Sequence, residues 1–146
     1  MRKIGFTCSS FDLLHAGHIA MLRESKENCD WLIVGLNVNP VNKDCMQSVV
    51  ERYTQLSAVK YVDEIVPYST EEELIDLIQL YQINIRFIGE DYRDKPFTGD
   101  TLENIEIFYN RRDHRFSSTA LKQHVQHKYK DPAEEQNYVH LPDGYE

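Results

Sequence analysis

Residues 4–18 read IGFTCSSFDLLHAGH, and they set up the first structural unit of the chain. The apolar-rich run 4–7 ends in small polar residues, which predicts a buried strand that leads into a loop. Residues 16–29 carry apolar side chains near helical spacing and contain no proline, which predicts a helix. A strand, a loop and a helix in this order form the opening unit of an α/β domain.

The same alternation continues along the chain. We predict further strands at 31–36, 64–66, 83–88 and 105–109, and further helices at 49–61, from Ser69 or Thr70 to 80, and at 120–128. Pro67 is expected to end the third strand. The pattern predicts an α/β, Rossmann-like single domain at 1–129, with a five-stranded parallel sheet and helices on both faces. Residues 130–146 contain two prolines and little periodicity, which predicts a loosely held C-terminal tail.

The composition limits the classes of function. The chain has 146 residues and a formal net charge of −8, so one domain is expected and a long nucleic-acid track is disfavoured. No apolar run approaches the roughly 20 residues of a membrane span, and the N-terminus lacks the apolar stretch of a signal peptide. A cytoplasmic protein is therefore expected. Cys8, Cys29 and Cys45 lack metal-ligand spacing and are expected to be reduced thiols.

Two histidines stand three residues apart at the start of the first predicted helix. His15 and His18 can therefore point their imidazoles the same way, and the helix start adds unpaired N–H groups and a positive dipole end. Gly17 between them leaves room for a phosphate to approach the backbone. The pattern predicts an anion site with two donors above it. The alternative is a pair of surface histidines at an ordinary helix start.

A second candidate site precedes the last predicted helix. Arg112 stands upstream of three consecutive hydroxyl residues, Ser117, Ser118 and Thr119. Backbone N–H groups and hydroxyls at a helix start can hold phosphate oxygens, and an arginine can bridge two of them. The alternative is an ordinary capped helix with basic residues before it.

Together the two segments resemble the signatures of the cytidylyltransferase family, in particular its glycerol-3-phosphate branch. Residues 10–12 and 15–18, Ser-Phe-Asp and His-Ala-Gly-His, are similar to the family's Thr-Phe-Asp and His-x-Gly-His at matching spacing. Residues 112–119 are similar to its Arg-Thr-x-Gly-Ile-Ser-Thr-Thr signature. The stretches 51–53, 61–66 and 89–92 also resemble family segments, and the resemblance extends over roughly residues 3–127.

The resemblance implies a nucleotidyltransferase that moves CMP from CTP to a phosphorylated small molecule, such as a polyol or sugar phosphate, and releases pyrophosphate. It implies catalytic roles for His15, His18, Lys43, Arg112 and Ser117. It implies nucleotide binding by Ser9, Ser10, Phe11, His15, Gly17, His18, Gly89, Asp91, Arg112, Ser117, Ser118 and Thr119. It implies acceptor binding by Lys43 and Arg52.

The resemblance also implies a cofactor and partners. Mg²⁺ is expected, held mainly by substrate phosphates and water. Asp12 is a candidate protein ligand for this ion, and its alternative role is a capping contact just before the first helix. The expected partners are CTP, a phosphorylated acceptor and a second copy of the chain in a homodimer. Neither nucleic acid nor a membrane is expected.

The chain departs from the family pattern at several positions. Ser9 and Ser10 stand where the family usually has Gly-Thr, and Arg115 replaces the glycine of the second signature. The loop after the second strand offers Lys43 where the family usually has two lysines, and Ser69 stands about where an acceptor-binding lysine is expected. Two other functions stay open. One is adenylyl transfer to a heptose phosphate or similar acceptor, and the other is a non-catalytic nucleotide-binding module.

Overall fold

Strands and helices alternate from the first residues onward in the computed structural model, which describes residues 2–41, 43–112 and 118–128. The strands are β1 (Ile4–Ser9), β2 (Trp31–Asn37), β3 (Glu64–Tyr68), β4 (Ile85–Gly89) and β5 (Glu106–Asn110). The helices are α1 (Ala16–Glu27), α2 (Val49–Ser57), α3 (Glu71–Leu80) and α4 (Ser118–Lys128), with a 3₁₀ turn at Glu90–Tyr92. Within these residues, no helix has both the length and the apolar character needed to cross a membrane.

The strands form one parallel sheet in the order β3-β2-β1-β4-β5. The chain moves outward from β1 to β2 and β3, and α3 then carries it back past β1 to β4. Parallel neighbours need crossover connections, and right-handed crossovers that run in opposite directions place their helices on opposite faces. The predicted five-stranded parallel sheet with helices on both faces is therefore confirmed.

Two hydrophobic cores show which face each helix covers. The core under α1 and α2 has the following buried members: Phe11, Leu22, Leu32, Val34, Leu36, Leu56, Val59, Ile85 and Phe87. The core under α3 consists of Phe6, Ile33, Tyr68, Leu74, Ile78 and Ile83. Successive residues of a strand point to opposite faces. Arg86, between Ile85 and Phe87 on β4, therefore points to the α3 face.

Two predicted boundaries are wrong, each for a packing reason. β3 continues through Pro67, which pairs in register with Leu36. This strand lies at the edge of the sheet, where a backbone donor is needed on one side only, so a proline is tolerated. α2 ends at Ser57, and Val59 and Tyr61 pack onto the core from the turns that follow it. The spacing of these two apolar residues continues the helical pattern of α2, and this is why the sequence pattern predicts a longer helix.

The other predictions agree with the structure where it tests them. The remaining bounds differ by at most two residues from those predicted. Cys8, Cys29 and Cys45 are free thiols, as expected. The predicted tail at 130–146 lies outside the described residues.

Candidate active site

A cleft of about 580 Å³ opens at the carboxyl ends of β1 and β4. This is the place where the strand order reverses, so the loops after the two strands separate and leave a crevice between them. Seven of the residues assigned to the site line it: Ser9, His15, Gly17, His18, Lys43, Gly89 and Arg112. The fold thus gathers residues of the first loop, the loop after β2 and the ends of β4 and β5.

The two histidines cap the first helix together. His15 is the N-cap of α1, and its Nδ1 accepts a hydrogen bond from the Gly17 N–H at 3.0 Å. His18 Nδ1 accepts one from the His15 N–H at 3.2 Å, which completes a capping box. The two ring centroids lie 3.9 Å apart. The helix start itself therefore fixes the position of both imidazoles.

The same hydrogen bonds fix the tautomer of each neutral ring. A neutral imidazole whose Nδ1 accepts a hydrogen bond carries its proton on Nε2. His15 and His18 thus each have an Nε2–H donor, and both residues line the cleft. Two fixed donors can act on one anionic group, and such an arrangement stabilises charge that develops in a transition state.

His18 is held in its neutral form by its surroundings. Burial, the neighbouring His15 and the positive charges of Lys43 and Arg112 together lower the pKa of His18 to about 4, while the negative charge of Asp12 opposes them. These cations gather at the cleft of a chain whose net charge is −8. The cleft therefore attracts an anion although the protein as a whole is acidic.

We expect His18 to make the folded state sensitive to acid. The pKa of His18 in the folded state, about 4, lies below the ordinary 6.5, so the unfolded chain takes up the proton first as the pH falls. The stability that depends on neutral His18 is complete above about pH 6.5 and is lost progressively towards pH 4. His18→Gln keeps a side chain that suits a capping box, and its Tm should fall less than that of the wild type between neutral and acidic buffer.

The control for this measurement is His124→Gln. His124 lies on α4 and is exposed, so its replacement should leave the wild-type dependence of Tm on pH intact. Equal losses of Tm in the wild type and in His18→Gln would contradict a buried, neutral His18.

Asp12 anchors the loop that carries Lys43. Its fully buried carboxylate accepts hydrogen bonds from the N–H groups of Met46 at 2.9 Å and Gln47 at 3.0 Å, and Lys122 Nζ of α4 lies 3.3 Å from it. Burial by itself raises a carboxyl pKa, but these partners outweigh it and hold the pKa of Asp12 below its usual range. Among the described residues, no three His, Cys, Asp or Glu side chains are grouped to hold a metal ion. The structure therefore places Asp12 in a structural network.

Three other assigned residues lie beneath the cleft. Phe11 is fully buried, with its ring centroid 5.5 Å from that of His18. Ser10 is buried, and its carbonyl accepts a hydrogen bond from Arg52 Nη1 at 2.9 Å. The same nitrogen donates to the Asn37 carbonyl at 2.7 Å, and Arg52 is only 3% exposed. Arg52 thus joins the loops after β1 and β2, and Phe11 packs against His18.

The cleft lining also includes the arginine of the second signature. Arg112 Nε lies 3.4 Å from Asp91 Oδ1, and the Arg112 N–H donates to Glu90 at 3.0 Å. Gly89 leaves space for this pair, because a Cβ at that position would lie 2.5 Å from Asp91 Oδ1. Gly89, Asp91 and Arg112 therefore form one cluster at the end of β4.

The hydroxyl run of the second signature is only partly covered by the structure. α4 begins at Ser118, followed by Thr119, so this run does lie at a helix start. Ser117 and Arg115 lie outside the described residues, as do the side chains of Ser118 and Thr119. Their predicted contacts with the nucleotide stay predictions.

One wall of the cleft was missed in the sequence. This α3-side wall consists of Cys8, Tyr68, Glu71, Arg86, Phe97 and Thr98. A signal existed for Arg86, since a charged residue stands among apolar ones in a strand predicted to be buried. Tyr68, Phe97 and Thr98 carry no comparable signal, because their neighbours in sequence do not reveal what they face.

Two N–H donors fixed at a helix start, beside cations at the switch point of a parallel sheet, suit the stabilisation of a transferring phosphoryl group. The fold and this site define an enzyme of the nucleotidyltransferase class. The chain belongs to the cytidylyltransferase-like family, whose model matches residues 6–132. The resemblance drawn from the two signatures is thereby confirmed.

Individual relatives support the same assignment. The chain is 31% identical over 130 residues to the glycerol-3-phosphate cytidylyltransferase of Bacillus subtilis (strain 168). This alignment covers 86% of this chain and 98% of that protein. The chain is 34% identical over 111 residues to the bifunctional protein HldE of Caulobacter sp. (strain K31). This alignment covers 68% of this chain and 22% of that protein. The fold is similar to that of a lipopolysaccharide core biosynthesis protein from Thermoplasma volcanium GSS1, with a TM-score of 0.67 and 21% identity over 78% of this chain and 100% of that one.

Proposed function

We propose that the protein transfers CMP from CTP to a polyol phosphate or a similar phosphorylated small molecule and releases pyrophosphate. The observation that carries this proposal is the joint capping of α1 by His15 and His18, which presents two fixed Nε2–H donors in a cationic cleft. Support for cytidine and for a polyol phosphate comes from the relatives. The Bacillus subtilis glycerol-3-phosphate cytidylyltransferase aligns over 98% of its length, whereas HldE aligns over 22%.

The proposed reaction is a displacement at the α-phosphorus of CTP. An oxygen of the acceptor phosphate forms a new P–O bond, the bond from the α-phosphorus to the oxygen shared with the β-phosphate breaks, and pyrophosphate leaves. No protein nucleophile is needed. His15 and His18 donate hydrogen bonds to the transferring group and the leaving pyrophosphate, while Lys43 and Arg112 hold the phosphates.

Mg²⁺ is part of the proposal as a companion of the triphosphate. The described residues suit an ion held by phosphate oxygens and water, because the Asp12 carboxylate already accepts two backbone N–H groups and no protein cage is present among these residues. The ion would supply positive charge to the phosphates. The homodimer and the cytoplasmic location stay predictions.

We expect CTP with Mg²⁺ to raise the Tm more than ATP, GTP or UTP does at the same concentration. A ligand that binds only the folded state stabilises it by mass action, by about 2.7 kcal/mol at a concentration of about 100 Kd. For a protein of this size that corresponds to a rise in Tm of about 5 to 10 °C. Thermal unfolding with each of the four triphosphates measures it, with CMP as the control that lacks the two outer phosphates.

A pyrophosphate-release assay with each triphosphate and a panel of phosphorylated acceptors completes the test. Larger stabilisation by ATP, together with release from ATP, would replace the cytidine proposal with adenylyl transfer. That second candidate is compatible with the cleft, because the histidines and Lys43 face phosphates and do not read a base. Tight triphosphate binding without release in any combination would indicate a non-catalytic nucleotide-binding module.

A further inference from the structure

The cleft has two sides that belong to opposite faces of the sheet. The histidine side lies at the start of α1, where Gly17 and His18 face the cleft. The α3-side wall lies over the other face, where Arg86 projects from β4 towards the core of α3. The proposed function fills the histidine side with a triphosphate. The α3-side wall is left for the second substrate.

Arg86 is a buried cation without an ionic partner. It is 4% exposed, its Nη1 donates to the Thr98 carbonyl, and its Nη2 lies 4.0 Å from Cys8 Sγ. Among the described residues its Nε has no hydrogen-bond partner, and its guanidinium lies over the Phe97 ring, 5.0 Å from the centroid. Within the part of the chain that the structure describes, no carboxylate forms an ion pair with Arg86.

Neither the Cys8 thiol nor the Tyr68 phenol neutralises that charge. Burial raises the pKa of the Cys8 thiol and that of the Tyr68 phenol, so both groups stay uncharged at neutral pH. A buried charge is costly unless it is paired. A guanidinium that lines a cleft in this state is suited to an anionic ligand, and its planar fork matches a phosphate.

We propose that the α3-side wall is the acceptor site and that Arg86 binds the phosphate of the acceptor. This inference rests on the proposed function. Both sides belong to one cleft, so a phosphate held by Arg86 can face the α-phosphorus of a nucleotide held at the histidines. The resemblance placed an acceptor-binding lysine at about the position of Ser69. In this chain the Ser69 hydroxyl donates a hydrogen bond to the Glu73 carboxylate. In this chain the cation for the acceptor comes from β4 instead of the start of α3.

The wall also carries a group suited to hydroxyls. Glu71, in the first turn of α3, accepts a hydrogen bond from the Thr98 hydroxyl and lines the cleft beside Arg86. A carboxylate is an acceptor only, so it repels phosphate and binds hydroxyl donors. Arg86 and Glu71 together therefore select a polyol phosphate, whose phosphate binds Arg86 and whose hydroxyls face Glu71.

Arg86→Gln and Arg86→Lys test the proposal with glycerol 3-phosphate as the probe. Arg86→Gln should raise the KM for glycerol 3-phosphate by at least about 10-fold and change the KM for CTP by less than about 2-fold, because one charge-assisted pair is lost on the acceptor side only. Arg86→Lys should fall between the wild type and Arg86→Gln. The control is Arg93→Gln, since exposed Arg93 lies over the Tyr109 ring at 4.4 Å and does not line the cleft.

A binding measurement separates this inference from the proposed function. With the nucleotide side filled by the α,β-methylene analogue of CTP, calorimetry should detect glycerol 3-phosphate binding to the wild type and a loss of about 10-fold in affinity in Arg86→Gln. If Arg86→Gln lowers the Tm but leaves both the KM and the affinity for glycerol 3-phosphate unchanged, Arg86 is structural and the inference is wrong.

If the wild type releases no pyrophosphate with CTP and any acceptor, the proposed function fails. In that case loss of inorganic phosphate binding in Arg86→Gln still supports an anion site, and retention of that binding overturns it.

Propyl phosphate distinguishes the two parts of the wall, because it has the phosphate without the hydroxyls. Arg86→Gln should weaken the binding of both glycerol 3-phosphate and propyl phosphate. Glu71→Gln should weaken glycerol 3-phosphate and leave propyl phosphate unchanged or tighter. Equal effects of Glu71→Gln on the two compounds would contradict hydroxyl recognition by Glu71.

Discussion

His15→Ala and His18→Ala are each expected to lower kcat for nucleotidyl transfer by about 100-fold to 1000-fold, the usual cost of removing one preorganised donor. Each ring has its Nδ1 occupied by a backbone N–H, so in the proposed reaction its Nε2–H is the donor to the phosphates. Negative charge is redistributed over the transferring group and the leaving pyrophosphate in the transition state, and donors placed for that distribution act mainly there, so kcat should fall far more than the affinity for CTP. Pyrophosphate release at saturating CTP and acceptor measures the effect.

Loss of the helix cap must be separated from loss of the donor. Alanine at either position removes a capping contact of α1, which costs about 0.5 to 2 kcal/mol of stability. His18→Gln can still accept the backbone N–H of His15, so its kcat should fall while its Tm stays closer to that of the wild type. His124→Ala, on the exposed side of α4, is the matched control and should retain full activity. Near-wild-type turnover in either alanine variant would remove that histidine from the mechanism.

Arg112→Lys is expected to lower kcat/KM for CTP by about 10-fold to 100-fold, the equivalent of one or two charge-assisted hydrogen bonds. Lysine keeps the charge but cannot reproduce the planar fork that binds two phosphate oxygens. The Arg112 side chain lines the cleft and is 60% exposed, and its contact with Asp91 is 3.4 Å long. It can therefore turn from this weak pair to a bound triphosphate. Steady-state kinetics with CTP as the varied substrate measures the loss.

The matched control is Arg23→Lys. Arg23 lies on the exposed side of α1 and pairs with Glu27 at 2.9 Å, so this change removes a guanidinium far from the cleft lining. It should leave kcat/KM unchanged. If Arg112→Lys leaves kcat/KM for CTP unchanged, as Arg23→Lys should, Arg112 does not bind the nucleotide. The second signature is then an ordinary capped helix with basic residues before it.

The histidine site could be predicted because its parts are local. His15, Gly17 and His18 are joined by hydrogen bonds between residues two or three apart, so the strand, loop and helix pattern was enough to bring them together. The cleft location followed in the same way, because parallel sheets open at the carboxyl ends of their strands. Lys43 was indicated less directly, since its position depends on the bonds between Asp12 and residues 46 and 47.

Arg52 shows where local patterns stop being informative. The resemblance implied a role with the acceptor, and in the structure its guanidinium is buried and donates to carbonyls of two loops. Phe11 was assigned to the nucleotide by resemblance, and the structure places it in the core under His18. For both residues the sequence pattern indicates the place along the chain, and the depth of the side chain is set by tertiary packing.

The amino-acid sequence by itself determined the order of the strands and helices, the class of the sheet and the paired histidines at the first helix. These features depend on apolar periodicity and on contacts between near neighbours, which a linear pattern contains. Only the tertiary structure decided that Arg86 meets Cys8, 78 positions away, and that Arg52 meets Ser10, 42 positions away. Such contacts are set when the sheet and helices pack, because burial, pairing and the direction of a side chain are properties of its surroundings in space.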